Sequence, residues 1–150
     1  MIWEELDENL ILLNIESSNS SDVLEFMGDK FINYGYCKDS FINALKEREE
    51  EYPTGINIDG LGVAMPHTNV NHVNKSTVGI GVLKKPIKFI HMGTDDEEVD
   101  VRVIFMLAVK DPNAHLEKIQ TILTVIQDKN ILEKIILAKN KEEIISLIKE

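Results

Sequence analysis

The sequence predicts an α/β fold in which helices cover both faces of a β-sheet. Strand-like and helix-like segments alternate along the chain, which is typical of this class. Asp100 to Val109 is apolar at nearly every position, as in a strand buried on both sides. Period-2 alternation assigns its residues to two faces: Val101, Val103, Phe105, Leu107 and Val109 on one, and Ile104, Met106 and Ala108 on the other. The resulting prediction is a sheet between two helical layers.

Composition limits the class of function. The 150 residues suit one domain, over residues 1–150, and 43% of them are hydrophobic. A formal net charge of −10 disfavours nucleic acids and anionic membranes as partners. The longest apolar run, Val103 to Val109, is too short to span a bilayer, and the N-terminus lacks signal-peptide features. The single cysteine, Cys37, is expected to be a packing residue, and it favours a cytoplasmic protein without disulfides.

The first half predicts one strand and two helices. The strand is expected over Asn9 to Ile15. A helix beginning near Ser20 should bury Val23, Phe26, Met27 and Phe31 and end in a left-handed Gly35. A second helix is expected from about Asp39 to Glu51, because Pro53-Thr54-Gly55 then breaks it.

The second half predicts two strands before the 100–109 segment and helices after it. The strands are expected over Thr77 to Leu83 and, more briefly, over Pro86 to Phe89. The spacing of Ile119, Ile122, Leu123 and Ile126 predicts a helix with an apolar stripe. Two short helices should follow, over Ile131 to Leu137 and over Glu142 to Ile148.

The clearest functional signal is the apolar run Val63 to Met65, which ends in Pro66 and His67. Pro66 has no backbone N–H and a fixed φ, so the strand should stop there. His67 is then held at a rigid corner between a strand and a loop, where scaffolds tend to present chemistry. A neutral imidazole at this position is suited to act as a nucleophile, a base or a metal ligand.

The other histidines are not equivalent. His115 follows the turn Lys110 to Ala114, and Asn113 as N-cap would place it in the first turn of a helix, where backbone N–H groups attract anions. A surface histidine at a helix start is the alternative. His72 is expected to be a loop residue, and His91 is assigned no role. No two residues show the H-x-x-x-H or C-x-x-C spacing of a strong metal site, so no metal is predicted.

Arg48 is one of two arginines in the chain and lies among four glutamates, Glu47 and Glu49 to Glu51. One interpretation is a solvated helix face with intrahelical ion pairs. The other is a fork of donors for phosphate oxygens. Composition alone leaves both interpretations open.

Three motifs in order carry a family resemblance: Arg48-Glu49, Tyr52-Pro53-Thr54-Gly55 and Gly62-Val63-Ala64-Met65-Pro66-His67. Together they resemble the R-E…T-G…G-[IV]-A-[IM]-P-H signature of type-2 EIIA domains. These are the fructose/mannitol-class phosphocarriers of the bacterial phosphoenolpyruvate-dependent sugar phosphotransferase system. The resemblance extends over nearly the full chain and implies a mixed parallel and antiparallel sheet with helices on both faces.

The resemblance also implies a mechanism. His67 would take a phosphoryl group from phospho-HPr and pass it to a cysteine of an EIIB component, with no bound cofactor or metal. His115 matches the context of a second active-site histidine, and Arg48 matches an arginine near the site. Thr54 falls on the motif as a possible further site residue.

Departures from the signature indicate the branch of the family. The segment Asn57 to Leu61 is lengthened, and Thr68 replaces the small residue that often follows the histidine. These features look more like the galactitol-type branch and imply uptake of galactitol or a related polyol. Two other hypotheses are an EIIA-like regulatory domain, whose phosphorylation state controls partner proteins, and a metal-dependent hydrolase.

Overall fold

The protein folds around one mixed β-sheet between two helical layers. The structure, a computed structural model, describes residues 6–111, 113 and 115–149. In these ranges five strands are present: β1 Ile11–Ile15, β2 Gly55–Ile58, β3 Leu61–Ala64, β4 Thr77–Ile90 and β5 Glu98–Ala108. Five α-helices accompany them there: α1 Ser20–Asn33, α2 Phe41–Glu51, α3 His115–Ile126, α4 Lys129–Leu137 and α5 Lys141–Lys149. The predicted α/β class and mixed sheet are confirmed.

The strand order is β1-β4-β5-β3-β2. β1 pairs with β4 and β3 pairs with β5 in parallel, whereas β4–β5 and β2–β3 are antiparallel. The β2–β3 hairpin closes through Asp59 and Gly60, at φ 50° and 94°. Two consecutive left-handed residues of this type match the twist of a tight hairpin.

The apolar residues form one cluster on each face of the sheet. On one face, α1 and α2 pack against the strands through Val23, Leu24, Met27, Phe31, Phe41 and Leu45. On the other, α3 to α5 contribute Ile122, Ile126, Leu132, Ile135, Ile144 and Ile148. β5 supplies residues to both clusters, so it is covered on both faces as predicted.

Two predicted features of the first half need adjustment, and a third is confirmed. The stretch predicted as a strand from Asn9 begins with a 3₁₀ turn at Glu8–Leu10, closed by the Asp7 side chain, and the strand starts at Ile11. In α1, Phe26 is 43% exposed and Leu24 takes its predicted place in the core. Gly35 ends that helix at φ 84°, as predicted.

The two strands predicted on either side of Lys84 and Lys85 are one continuous strand, β4. Its pairing with β5 is interrupted, because Val82 faces Val103 but Ile87 faces Val101. Pro86 lies in this bulge, where its missing N–H costs no ladder bond. The Arg102 Nε–H donates instead to the Leu83 carbonyl at 2.9 Å.

β5 has an irregularity of its own, because Gly62 of β3 pairs with Val101 but the next residue, Val63, pairs with Val103. This extra residue in β5 reverses the alternation of its side chains. Val103, Phe105 and Leu107 pack on the face of α3 to α5, whereas Val101 packs on the face of α1 and α2. Assigning Val101 to the same face as Val103 was therefore wrong. An irregularity of pairing changes which face each later side chain points to, and one strand's sequence does not reveal it.

Gly62 lets β3 approach β5 closely. A Cβ atom there would overlap the carbonyl oxygen of Asp100 on β5. We expect Gly62→Ala to destabilise the fold by about 3 kcal/mol or more, since the obstacle is backbone. Gly93→Ala is the control, because Gly93 has a positive φ but open space, and should cost about 1 kcal/mol. Urea denaturation measures both, and equal losses would contradict the close-approach argument.

Candidate functional site

The segment that leads from β3 to His67 remains beside the neighbouring strand β5. β3 ends at Ala64, opposite Ile104 of the parallel strand β5. After the strand ends, the Leu107 N–H still donates to the Pro66 carbonyl at 3.0 Å. Val63 to Pro66 are buried, and His67 is half-buried. The backbone that presents His67 is thus held against the centre of the sheet, as the apolar run ending in a proline predicted.

The ring of His67 has a defined hydrogen bond to its own corner. Its Nδ1 lies 2.8 Å from the Met65 carbonyl oxygen. A carbonyl only accepts, so Nδ1 must carry the proton. In the neutral ring the lone pair is then on Nε2. The corner therefore selects the tautomer that has its nucleophilic nitrogen at Nε2.

Thr54 is buried behind this corner, with 3% of its surface exposed. Its hydroxyl accepts from the Met65 N–H at 3.1 Å and donates to Glu49 Oε1 at 2.8 Å. The Thr54 N–H donates to Glu49 Oε2 at 2.7 Å. The structure thus places Thr54 next to the residue that binds the His67 ring.

Glu49 is a member of this network that the sequence analysis missed. It was placed only among the charged neighbours of Arg48. A signal was present, however, because Phe41 and Leu45 are buried and Glu49 follows at the next i+4 position on the same helix face. Burial raises its pKa from 4.5 to about 7, although both hydrogen bonds from Thr54 lower it.

Arg48 lies in the last turn of α2, and its guanidinium carbon is 4.5 Å from the centre of the Tyr52 ring. Within the described residues, its side chain makes no hydrogen bond or ion pair, and its buried Nε lacks a partner. Of the two interpretations of Arg48, intrahelical ion pairs are therefore absent from this part of the structure. The other, a fork of donors for phosphate oxygens, remains a prediction.

His115 is the first residue of α3, so its predicted position at a helix start is confirmed. Its side chain lies outside the described part of the chain, as do Pro112 and Ala114 beside the predicted cap, Asn113. Since β3 and β5 are parallel, their carboxyl ends lie at the same edge of the sheet. His67 follows β3 and α3 follows β5, and ligands of open α/β sheets bind at such an edge.

The remaining candidates have hydrogen bonds of their own. His72 Nδ1 is 2.8 Å from Ser40 Oγ, and His91 Nδ1 is 2.9 Å from the Met92 carbonyl. Cys37 is buried, as predicted, and burial raises the pKa of its thiol to about 12. Among the described residues, no group of three or more His, Cys, Asp or Glu side chains is arranged to hold a metal ion. Across the same ranges, no helix has the length and apolar character needed to cross a bilayer.

Comparison with known proteins agrees with the fold and identifies the family. The sequence profile of the phosphoenolpyruvate-dependent sugar phosphotransferase system EIIA 2 family matches residues 4–150. The chain is therefore a member of the EIIA 2 family.

Individual relatives extend the comparison. The galactitol-specific EIIA component of Escherichia coli K12 is 30% identical over 118 residues, which cover 77% of each protein. The mannitol-specific IIA component of Staphylococcus aureus N315 is 28% identical over 141 residues, covering 93% of this chain and 92% of that one. The fold also matches the structure of the E. coli complex of enzyme IIAMtl with phosphorylated enzyme IIBMtl, with a TM-score of 0.78, 19% identity and 94% coverage of each chain.

The buried carboxyl of Glu49 should make stability depend on pH. Its pKa is about 7 in the folded chain against an ordinary 4.5, so the folded state binds this proton more tightly. The stabilisation is complete below pH 4.5 and is lost as the pH rises through 7. As the pH rises from about 5 to about 8, the free energy of unfolding of wild type should therefore fall by about 2–3 kcal/mol relative to that of Glu49→Gln.

Urea denaturation across this pH range measures this change. Glu50→Gln is the matched control, because it removes an exposed carboxylate from the adjacent position. Its difference from wild type should stay constant with pH. Parallel pH profiles for wild type and Glu49→Gln would contradict the raised pKa.

Proposed function

We propose that this protein is a cytoplasmic phosphocarrier of the sugar phosphotransferase system, with His67 as the residue that carries the phosphoryl group. His67 accepts the group from phospho-HPr and donates it to a cysteine of an EIIB component during uptake of a sugar or polyol. The observation that carries the proposal is the rigid His67 corner with its hydrogen bond from Nδ1 to Met65. A buried Cys37 thiol without a disulfide partner is consistent with the reducing cytoplasm.

The chemistry requires a neutral ring with a defined nucleophilic nitrogen. Nε2 attacks phosphorus as the bond to the donor's ring nitrogen breaks, and the electron pair of that bond returns to the donor. The His67 ring becomes positively charged, and the Met65 carbonyl stabilises this charge through Nδ1–H. The charged ring is a good leaving group, so the group passes on readily to a thiolate.

Arg48 and the N-terminal end of α3, where His115 lies, supply the donors and positive charge that a phosphoryl group needs. Phosphoryl transfer depends on positioning and on donors for the equatorial oxygens. The guanidinium of Arg48 keeps its hydrogen-bond donors uncommitted within the described residues and is held over the Tyr52 ring. His115 begins α3, where the helix dipole favours anions. Thr54 acts indirectly, since its hydroxyl binds the Met65 N–H.

Galactitol or a related polyol is the proposed transported compound. The E. coli galactitol-specific EIIA component is 30% identical over 118 residues. The lengthened segment Asn57 to Leu61 forms the closed end of the β2–β3 hairpin. An EIIA component acts on protein partners, so the sugar is selected through the EIIB component that it serves.

Replacing the proposed phosphoryl carrier should abolish labelling. We expect His67→Ala to take up no radioactive phosphoryl group from phospho-HPr, because no nucleophile remains at the corner. His91→Ala is the control, since His91 was assigned no role and its Nδ1 lies 2.9 Å from the neighbouring Met92 carbonyl. It should label like wild type. Undiminished labelling of His67→Ala would overturn the assignment.

Transfer to EIIB distinguishes transport from regulation. Phosphorylated wild-type protein should lose its label to a galactitol-type EIIB from the same genome, with formation of sugar phosphate when the membrane component is added. The measurement is the label remaining on His67 over time, with an EIIB of another sugar class as control. Loading by phospho-HPr without transfer to any EIIB from that genome would instead support the regulatory alternative.

A further inference from the structure

We propose that Glu49 is a positioning residue for His67, acting through the side chain of Thr54 and the backbone of Met65. This inference rests on the proposed function, because it assigns a role in phosphoryl transfer at His67. Two hydrogen-bonded residues, Thr54 and Met65, lie between Glu49 and the His67 ring, so Glu49 does not touch the reacting atoms. Its role is to fix which nitrogen of His67 is nucleophilic and where the ring lies.

The first step is the pair of bonds between Glu49 and Thr54. Both carboxyl oxygens accept, one from the Thr54 N–H at 2.7 Å and the other from its O–H at 2.8 Å. The two bonds together fix the position of Thr54 relative to α2. They also fix the direction of the hydroxyl proton, which points to Glu49. A lone pair of the same oxygen is therefore left for the Met65 N–H, which donates at 3.1 Å.

The second step passes through Met65. Its N–H binds Thr54 and its carbonyl binds His67 Nδ1, so one residue connects the two halves of the network. Pro66 follows with a fixed φ, and its carbonyl accepts from the Leu107 N–H. Rotation of Met65 would break both of its bonds and move the His67 ring. Glu49 opposes this rotation from the far side of Thr54.

The donors in the network run in one direction along the path from His67 to Glu49. His67 donates to Met65, Met65 to Thr54, and Thr54 to a carboxylate that bears the negative charge. The N–H and the C=O of Met65 belong to two different peptide groups, so Glu49 acts on the ring through the position of the Met65 backbone and through its charge, which attracts positive charge across a poorly solvated region. As Nε2 bonds to phosphorus, the ring gains positive charge, and a network ending in a carboxylate favours that charge. The arrangement is an indirect version of the carboxylate that orients a catalytic imidazole.

A purely structural role predicts different results. Glu49 could serve only to attach the C-terminal end of α2 to Thr54. Its loss would then lower stability without changing the His67 ring in the molecules that remain folded. The protonation site of His67 and the rate of transfer per folded molecule separate these two roles.

The experiment compares Glu49→Gln with the matched control Glu50→Gln at about pH 8, where the Glu49 carboxylate predominates. The Glu49→Gln substitution keeps the size of the side chain but removes its charge and one acceptor. The first readout is the ¹⁵N NMR spectrum of unphosphorylated His67, which reports the share of rings protonated at Nδ1. The second is the single-turnover rate of phosphoryl transfer from phospho-HPr, with folded protein quantified by circular dichroism.

We expect Glu49→Gln to lower the share of Nδ1–H rings and to slow transfer about tenfold, the difference between a charge-assisted and a neutral hydrogen bond. Glu50→Gln should match wild type in both readouts. A Glu49→Gln protein with the wild-type tautomer and the wild-type rate would overturn the proposal. So would a loss of stability with both readouts unchanged.

A second pair of variants at Thr54 covers a Glu49→Gln protein that does not fold. Thr54→Val removes the hydroxyl, and Thr54→Ser retains it. We expect the serine variant to transfer faster and to hold more Nδ1–H than the valine variant, and equal values would overturn the proposal. The NMR readout needs no phosphoryl donor, so it tests the network even if labelling shows that His67 is not the carrier.

Discussion

The parallel pairing of β3 with β5 is the constraint on which the rest of the site depends. Gly62 permits the close approach, and Ala64 pairs with Ile104 next to the point where β3 ends. The pairing buries the corner up to Pro66 and brings the start of α3 to the same edge of the sheet. Because β5 is covered on both faces, this edge has little freedom to move. A half-buried histidine on such a frame needs little rearrangement before it reacts.

The polar network behind the corner opposes part of this stability. Burying a carboxyl group costs free energy, which the raised pKa of Glu49 records. The two bonds from Thr54 offset only some of that cost. An apolar residue at this position, continuing the stripe of Phe41 and Leu45, would suit the core better. Glu49 binds Thr54, which in turn binds the backbone of the His67 corner. Its presence is therefore more readily explained by a role in orienting this corner than by a contribution to stability.

Much of the fold was predictable because local patterns and tertiary structure agree. The apolar stripes of the helices, the left-handed Gly35 and the two-sided burial of β5 all follow from periodicity. The β2–β3 hairpin was missed, although Asp59-Gly60 is a strong hairpin signal. The β4–β5 bulge could not be predicted, since it depends on the register between two strands. The extra residue in β5, Arg102, reverses the expected face of Val101, and the Arg102 side chain donates to the Leu83 carbonyl within the bulge.

The candidate site, like the fold, could be predicted only in part from the sequence. The position of His67 at a rigid corner could be predicted from the proline that precedes it, whereas Thr54 was a candidate only through the family resemblance. Glu49 could not be identified from charge, since four glutamates surround Arg48 and only one turns inward. Glu49 and Glu50 are neighbours on α2 and therefore point in different directions. Only the position of Glu49 brings its carboxyl oxygens within hydrogen-bonding distance of Thr54. The contacts of a side chain, rather than its charge, thus determine whether a carboxylate near a reactive histidine belongs to the site.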